Sequence, residues 1–258
     1  MAKDKAAGLA GVTAGRTAIA TVGKEGTGLT CRGYSINDLA EQATFEEVAY
    51  LLVYGRLPRE TELRNYKKEL CSLRSLPQPL KAVLEQVPGS AHPMDVMRTG
   101  CSALGTLEPE GESRDQIAVA NRLTACFSSI LLYWHHFHVR GKRIGTETDD
   151  DSSAGHFLHL LHGKKPDELH RRAIDVSLIL YAEHEFNAST FTARTIISTL
   201  ADFYSAVTGA IGALRSPLHG GANFEFALSV TIPAASIPGV WGYFQVTPLL
   251  PLAERASL

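Results

Sequence analysis

Between residues 44 and 214 the apolar side chains return almost everywhere at helical spacing, and strand-like alternation is confined to one short stretch near the N-terminus. A chain of 258 residues with 45% hydrophobic content can bury a large core. Here it has to do so by packing helix on helix. The exception, residues 17–32, reads as a hairpin: Thr17-Ala-Ile-Ala-Thr-Val22, a turn through Gly23, Gly26 and Gly28, then Leu29-Thr-Cys-Arg32. Thr44 with Glu47 forms a capping-box pattern, Phe45, Val48, Ala49 and Leu52 recur at i, i+3, i+4 and i+7, and Gly55 sits where a C-terminal cap belongs. After Pro58 the spacing predicts a surface helix over 59–76, with Leu63, Tyr66, Leu70 and Leu73 turned inward. Further helices are predicted over 79–87, 94–104, 114–136 and 154–161, and two longer ones over 168–183 and 189–214. The expected fold class is all-α with a small N-terminal β-hairpin, without repeats or an obvious interdomain linker.

Charge narrows the partners. Lys and Arg (25) nearly balance Asp and Glu (27), so a net charge of -2 offers no footprint for nucleic acid or an acidic membrane surface. Small molecules or another protein are expected instead. The first fifteen residues place early lysines before Ala and Gly rather than a continuous apolar run, so no secretory signal is read and cytoplasmic residence is expected. Cysteines 31, 71, 101 and 126 include no C-x-x-C pair and fit reduced thiols. The apolar stretch 118–134 is interrupted by Asn121 and Arg122 and falls short of the ~20 residues a spanning helix needs, so no membrane helix is expected.

The ten histidines fall into two kinds. His156, His159 and His162 repeat every three residues and could clasp a metal, but no nearby Cys or fourth ligand supports that. Imidazoles ending a helix are favoured by its dipole and can bond the last carbonyls; that structural reading covers these three and also His135, His136 and His138. His184 and His219 stand at breaks between long helices. Around His184, in Tyr-Ala-Glu-His-Glu-Phe-Asn-Ala-Ser-Thr, charged and amide groups crowd a junction where burial is costly without a ligand or a network. The alternative is a plain helix cap by Asn187 or Ser189. At His219, Pro217 stiffens the approach while Gly220 and Gly221 let a bulky ligand reach backbone and ring together; an ordinary Gly-rich turn is the alternative.

At these two segments the chain resembles a known family. Ala182-Glu-His-Glu-Phe-Asn-Ala-Ser-Thr190 and Pro217-Leu-His-Gly-Gly-Ala-Asn223 look like the two histidine motifs of citrate synthases, in that order and at a fitting separation. Arg32-Gly-Tyr34, Phe45-Glu-Glu-Val-Ala-Tyr-Leu-Leu, Leu57-Pro58, His92-Pro-Met-Asp-Val-Met-Arg-Thr99 and Gly209-Ala-Ile-Gly-Ala-Leu214 agree. Ser-His-Pro-Met-Asp-Val-Met-Arg-Thr-Gly, Glu-Thr-Asp-Asp-Asp-Ser and His-Phe-Leu-His-Leu-Leu-His-Gly are similar to the 2-methylcitrate synthase branch. The resemblance runs from about Gly8 to Asn223. It implies that residues 1–223 form the N-terminal part of the family's large helical domain.

The resemblance also implies a condensation of propionyl-CoA with oxaloacetate: the thioester is enolised, the enol attacks the ketone, and the thioester is hydrolysed. No metal or redox cofactor is implied, the CoA thioester being a substrate. By position, His184 and Asn187 would bind oxaloacetate. His219 would donate to the thioester carbonyl as the catalytic group, with Gly220, Gly221, Ala222 and Asn223 beside the acyl-CoA. A dimer through helices is implied. A plain citrate synthase using acetyl-CoA, and a non-catalytic helical fragment that associates with full-length subunits, are the competing readings. After Asn223 the resemblance stops. Residues 224–258 carry four prolines, few charges and no helical period, and the family's second His motif, Asp base and carboxylate-binding arginines are not found in them. A truncated or frameshifted chain, weakly active or inactive alone, is expected.

Overall fold

The computed structural model describes residues 15–23 and 28–216. Three short strands, β1 (Ala20–Val22), β2 (Leu29–Cys31) and β3 (Tyr34–Ser35), pair antiparallel in the order 1-2-3, with Ala20 opposite Cys31 and Thr30 opposite Ser35. The expected hairpin is therefore extended by one strand. Ten helices follow among the described residues: α1 (Ile36–Gln42), α2 (Phe45–Tyr54), α3 (Glu60–Ser72), α4 (Gln78–Gln86), α5 (Pro93–Leu107), α6 (Gln116–Arg140), α7 (Ser153–His162), α8 (Glu168–Leu180), α9 (Ala188–Ile197) and α10 (Phe203–Leu214).

The capping box at Thr44 is present in full, and Gly55 closes α2 in the left-handed conformation at φ 81°. The short helix α1 escapes sequence reading because Leu39 is its one fully buried residue, too few anchors to display a period. Two boundaries need correction. The helix expected over 168–183 stops at Leu180, and the single helix expected over 189–214 is two. The break has a local cause: Leu200 takes a positive φ of 63°, and Asp202 accepts from the Ser205 backbone N–H at 3.0 Å, starting a new helix. Apolar periodicity on both sides conceals that cap.

The core is organised on α6, which is buried along most of its 25 residues. By length and composition this helix could cross a membrane, correcting the shorter span read from the sequence, but 89% of its most apolar window is buried inside the protein. Its two polar interruptions are satisfied internally. Asn121 accepts from the Tyr66 hydroxyl and donates to Glu69, and Arg122 forms a bidentate pair with Glu108 at 2.8 and 2.9 Å. Helix α10 packs on both α9 and α5. At the start of α7, a side chain on Gly155 would overlap the Asp150 carboxyl group, which caps Ser152. Gly155→Ala is expected to cost about 2 kcal/mol, seen as a lower urea midpoint with an unchanged slope.

Candidate functional site

The segment joining α8 to α9 leaves the helix at Tyr181, buries Ala182 and Glu183, exposes His184, and re-enters a helix at Asn187. Its conformation is held from three directions. Asn187 Oδ1 accepts from the Thr190 N–H at 2.8 Å and from the Ser189 hydroxyl at 2.6 Å, the cap that its residue type allows. Glu185, at a positive φ of 60°, sends its side chain to the N–H of Val22 on β1 at 2.9 Å. Phe186 stacks under the Arg194 guanidinium at 4.8 Å and lies against Gly15, where a Cβ would approach its ring to 3.0 Å. The N-terminal sheet thus serves as a clamp on this loop.

The His184 ring lies 6.3 Å from that of Tyr181. Partial burial lowers its pKa, and a hydrogen bond to the Leu180 carbonyl opposes that shift. The Leu180 bond requires an N–H on one ring nitrogen. The other nitrogen then presents a lone pair in the neutral ring and an N–H in the protonated ring. Such a group can accept from a ligand at neutral pH or hold an anionic oxygen after taking a proton.

A second group of motif residues meets the end of α10. His92 caps α5, its Nδ1 accepting from Met94 N–H at 3.1 Å, and Asp95 lies 3.0 Å from Arg98 and 3.3 Å from Arg215. The segment from His92 to Thr99 is therefore brought to the point where the chain departs towards 217–223. Burial, then the Arg215 charge, lowers the His92 pKa. His219, Gly220, Gly221, Ala222 and Asn223, with the tail 224–258, lie outside the described residues.

The other histidines have structural surroundings. His136 donates to the Leu160 carbonyl at 2.8 Å, and His156 is enclosed by Ser129 and Thr148. Among the described residues, no group of three or more His, Cys, Asp or Glu comes together in a way that could hold a metal ion. A cavity of about 390 Å³ beside His162, Lys164, Lys165 and His170 contains neither His184 nor Asn187.

A family profile described as citrate synthase, C-terminal domain, matches residues 8–230. The chain belongs to the citrate synthase family. It is 64% identical to a 2-methylcitrate synthase of Shewanella oneidensis over 217 residues, covering 84% of this chain and 58% of that protein. A 2-methylcitrate synthase of Mycobacterium tuberculosis is 42% identical over 220 residues, covering 84% of this chain and 55% of the relative. Among solved structures, the citrate synthase of the archaeon Thermoplasma acidophilum, in a ternary complex with carboxymethyl coenzyme A and oxaloacetate, aligns with a TM-score of 0.77 at 30% identity, covering 92% of this chain and 62% of that one. The citrate synthase of Thermotoga maritima aligns at 0.73 and 32% identity, covering 87% and 60%. The chain spans 54–60% of the length of the curated relatives named first in similarity to it.

Family membership explains why the expected all-α class agrees with this fold. Glu183, Arg32 and Arg215 were not read as site residues from the sequence. Their signals were weak: a charged residue beside a motif histidine, an arginine before a glycine, and a basic residue after an apolar helical run.

Proposed function

We propose that this chain carries the substrate-binding part of a 2-methylcitrate synthase, which condenses propionyl-CoA with oxaloacetate. The 64% identity to the Shewanella oneidensis 2-methylcitrate synthase carries this reading. A proton leaves the α-carbon of the thioester, the resulting enol forms a carbon–carbon bond to the oxaloacetate ketone, and water cleaves the thioester to release CoA. His184 holds oxaloacetate beside Asn187, whose Oδ1 is committed to the helix cap and whose amide N–H groups serve the ligand. His219 donates to the thioester oxygen, where charge develops, with Gly220, Gly221, Ala222 and Asn223 alongside the CoA ester. The reaction so written needs no metal or redox cofactor.

A citrate synthase using acetyl-CoA is the second reading, favoured by the 42% identity to the Mycolicibacterium smegmatis citrate synthase. One methylene separates the substrates, about 1–3 kcal/mol of discrimination. A homodimer formed through the helices fits the exposed Phe191 on α9 and Leu200 beside it. Cytoplasmic residence fits four cysteines that remain thiols, Cys31, Cys101 and Cys126 buried and Cys71 half-buried. Residues 1–223 are assigned to the large domain, and 224–258 stand apart from it in composition.

Calorimetry with oxaloacetate and CoA release from propionyl-CoA and acetyl-CoA test the proposal. His184→Ala is expected to weaken oxaloacetate binding at least about tenfold, the loss of one charge-assisted hydrogen bond. Any turnover is expected to favour propionyl-CoA. Unchanged binding in His184→Ala would remove the site assignment, and a preference for acetyl-CoA would install the second reading.

A further inference from the structure

The turn between α7 and α8 concentrates positive charge. Gly163 ends α7 at a left-handed φ of 70°, and Lys164, Lys165 and Pro166 lead directly to Asp167, the cap of α8. With His162 from the last turn of α7 and His170 from the first turn of α8, they line the cavity of about 390 Å³. Leu158 and Pro166 supply its apolar wall.

Asp167 is the one acid that lines this cavity, and it is already engaged. Its Oδ1 accepts from the His170 N–H at 3.0 Å, and its Oδ2 lies 2.6 Å from His170 Nδ1. Glu168, the next carboxylate along the chain, is paired with Arg171 at 2.5 Å. Among the described residues, Lys164 and Lys165 have no ion pair and His162 has no hydrogen bond. These charges also converge: burial, then Lys164, His170 and Arg140 from the end of α6, all lower the His162 pKa. Like charges gathered at one turn repel, and no free carboxylate lines the cavity to offset them. A bound dianion would.

Size and lining narrow the identity of that anion. Inorganic phosphate would leave most of the space empty, whereas small organic ligands occupy pockets from about 300 Å³ upward. Two ammonium groups suit a phosphoryl group, each bringing a full charge and three donors. His162 and, when protonated, His170 add ring N–H groups. The apolar wall calls for a carbon body. We propose that this cavity binds a small organic phosphate monoester, its dianionic phosphoryl group on Lys164 and Lys165 and its apolar body against Leu158 and Pro166.

The test titrates the full 258-residue chain with phenyl phosphate by calorimetry, beside inorganic phosphate and phenol as its two halves. Phenyl phosphate is expected to bind at least about tenfold more tightly than either half, since it alone joins the charge to buried apolar surface. Lys164→Ala/Lys165→Ala is expected to weaken it at least about tenfold through lost charge-assisted hydrogen bonds. Arg64→Ala/Lys68→Ala, which removes the same charge from the exposed face of α3, is expected to keep parent affinity. Acetylation kinetics read the site without any substitution. At twice its Kd, phenyl phosphate is expected to slow modification of Lys164 and Lys165 about threefold by occupancy, and to leave Lys68 unchanged. Binding no tighter than that of inorganic phosphate would mean an adventitious ion only and overturn the proposal. Equal losses in the two double variants would do the same, as would labelling of Lys164 and Lys165 that the ligand does not slow.

Discussion

Arg74→Met is expected to lower the melting temperature by about 10 °C, the equivalent of about 4 kcal/mol in a chain of this size. The reason lies in residues 141–152, which join α6 to α7 without regular secondary structure although Thr146, Asp150 and Ser152 are buried. Buried carbonyls outside helices and strands need donors from elsewhere. Arg74, 2% exposed, supplies them: its guanidinium donates to the carbonyls of Thr148 at 3.3 Å, Asp150, and Ser152 at 3.1 Å, and to the Thr148 hydroxyl at 3.3 Å. Methionine fills similar volume but donates nothing, and each buried acceptor left alone costs about 1–3 kcal/mol before relaxation. Arg74→Lys is expected to recover less than half of the loss, because one ammonium cannot reproduce the planar fork. Calorimetric melts of the three chains check both statements, and a Met variant melting within 3 °C of the parent, about 1 kcal/mol, would contradict them.

His156→Gln is expected to remove an acid sensitivity worth about 1.4 kcal/mol per pH unit below 6.5. The ring is 1% exposed, with Nε2 3.2 Å from the Ser129 hydroxyl and Nδ1 3.0 Å from that of Thr148. Ser129 donates to the Thr146 carbonyl, so its oxygen accepts from Nε2–H; Nδ1 accepts from Thr148, whose oxygen in turn accepts from Arg74. This assigns the tautomer by its hydrogen bonds. The neutral ring is fully satisfied. Burial, then the Arg74 charge and His159, push its pKa down to about 2.

A depressed histidine pKa means that the unfolded chain binds the extra proton. The stabilisation is complete above about 6.5 and declines as pH falls towards 2. Glu183 acts in the opposite sense. With its pKa raised from 4.5 to about 7, it stabilises the fold below 4.5 and loses that contribution as pH rises through 7. Between 4.5 and 6.5 the two slopes oppose each other. Urea midpoints measured from pH 4.5 to 8 are therefore expected to fall more steeply on acidification in Glu183→Gln than in the parent, and less steeply in His156→Gln. Parallel curves for all three chains would refute both assignments.

The helical class, the capping box at Thr44 and the glycine closing α2 were legible because each depends on neighbours within a few residues. Local sequence also offered both roles at Asn187, and the cap is formed. Other features depend on partners distant in the chain. Glu185 meets Val22 across 163 positions, Arg74 meets Ser152 across 78, and Arg215 meets Asp95 across 120. No period or motif encodes such a meeting, since a glutamate beside a histidine reads the same whether it faces water or the interior. Sequence alone determined which residues could do chemistry; tertiary packing decided which carboxyl is buried, which imidazole is kept neutral and which loop the sheet holds, because desolvation and hydrogen bonding act only once distant segments meet.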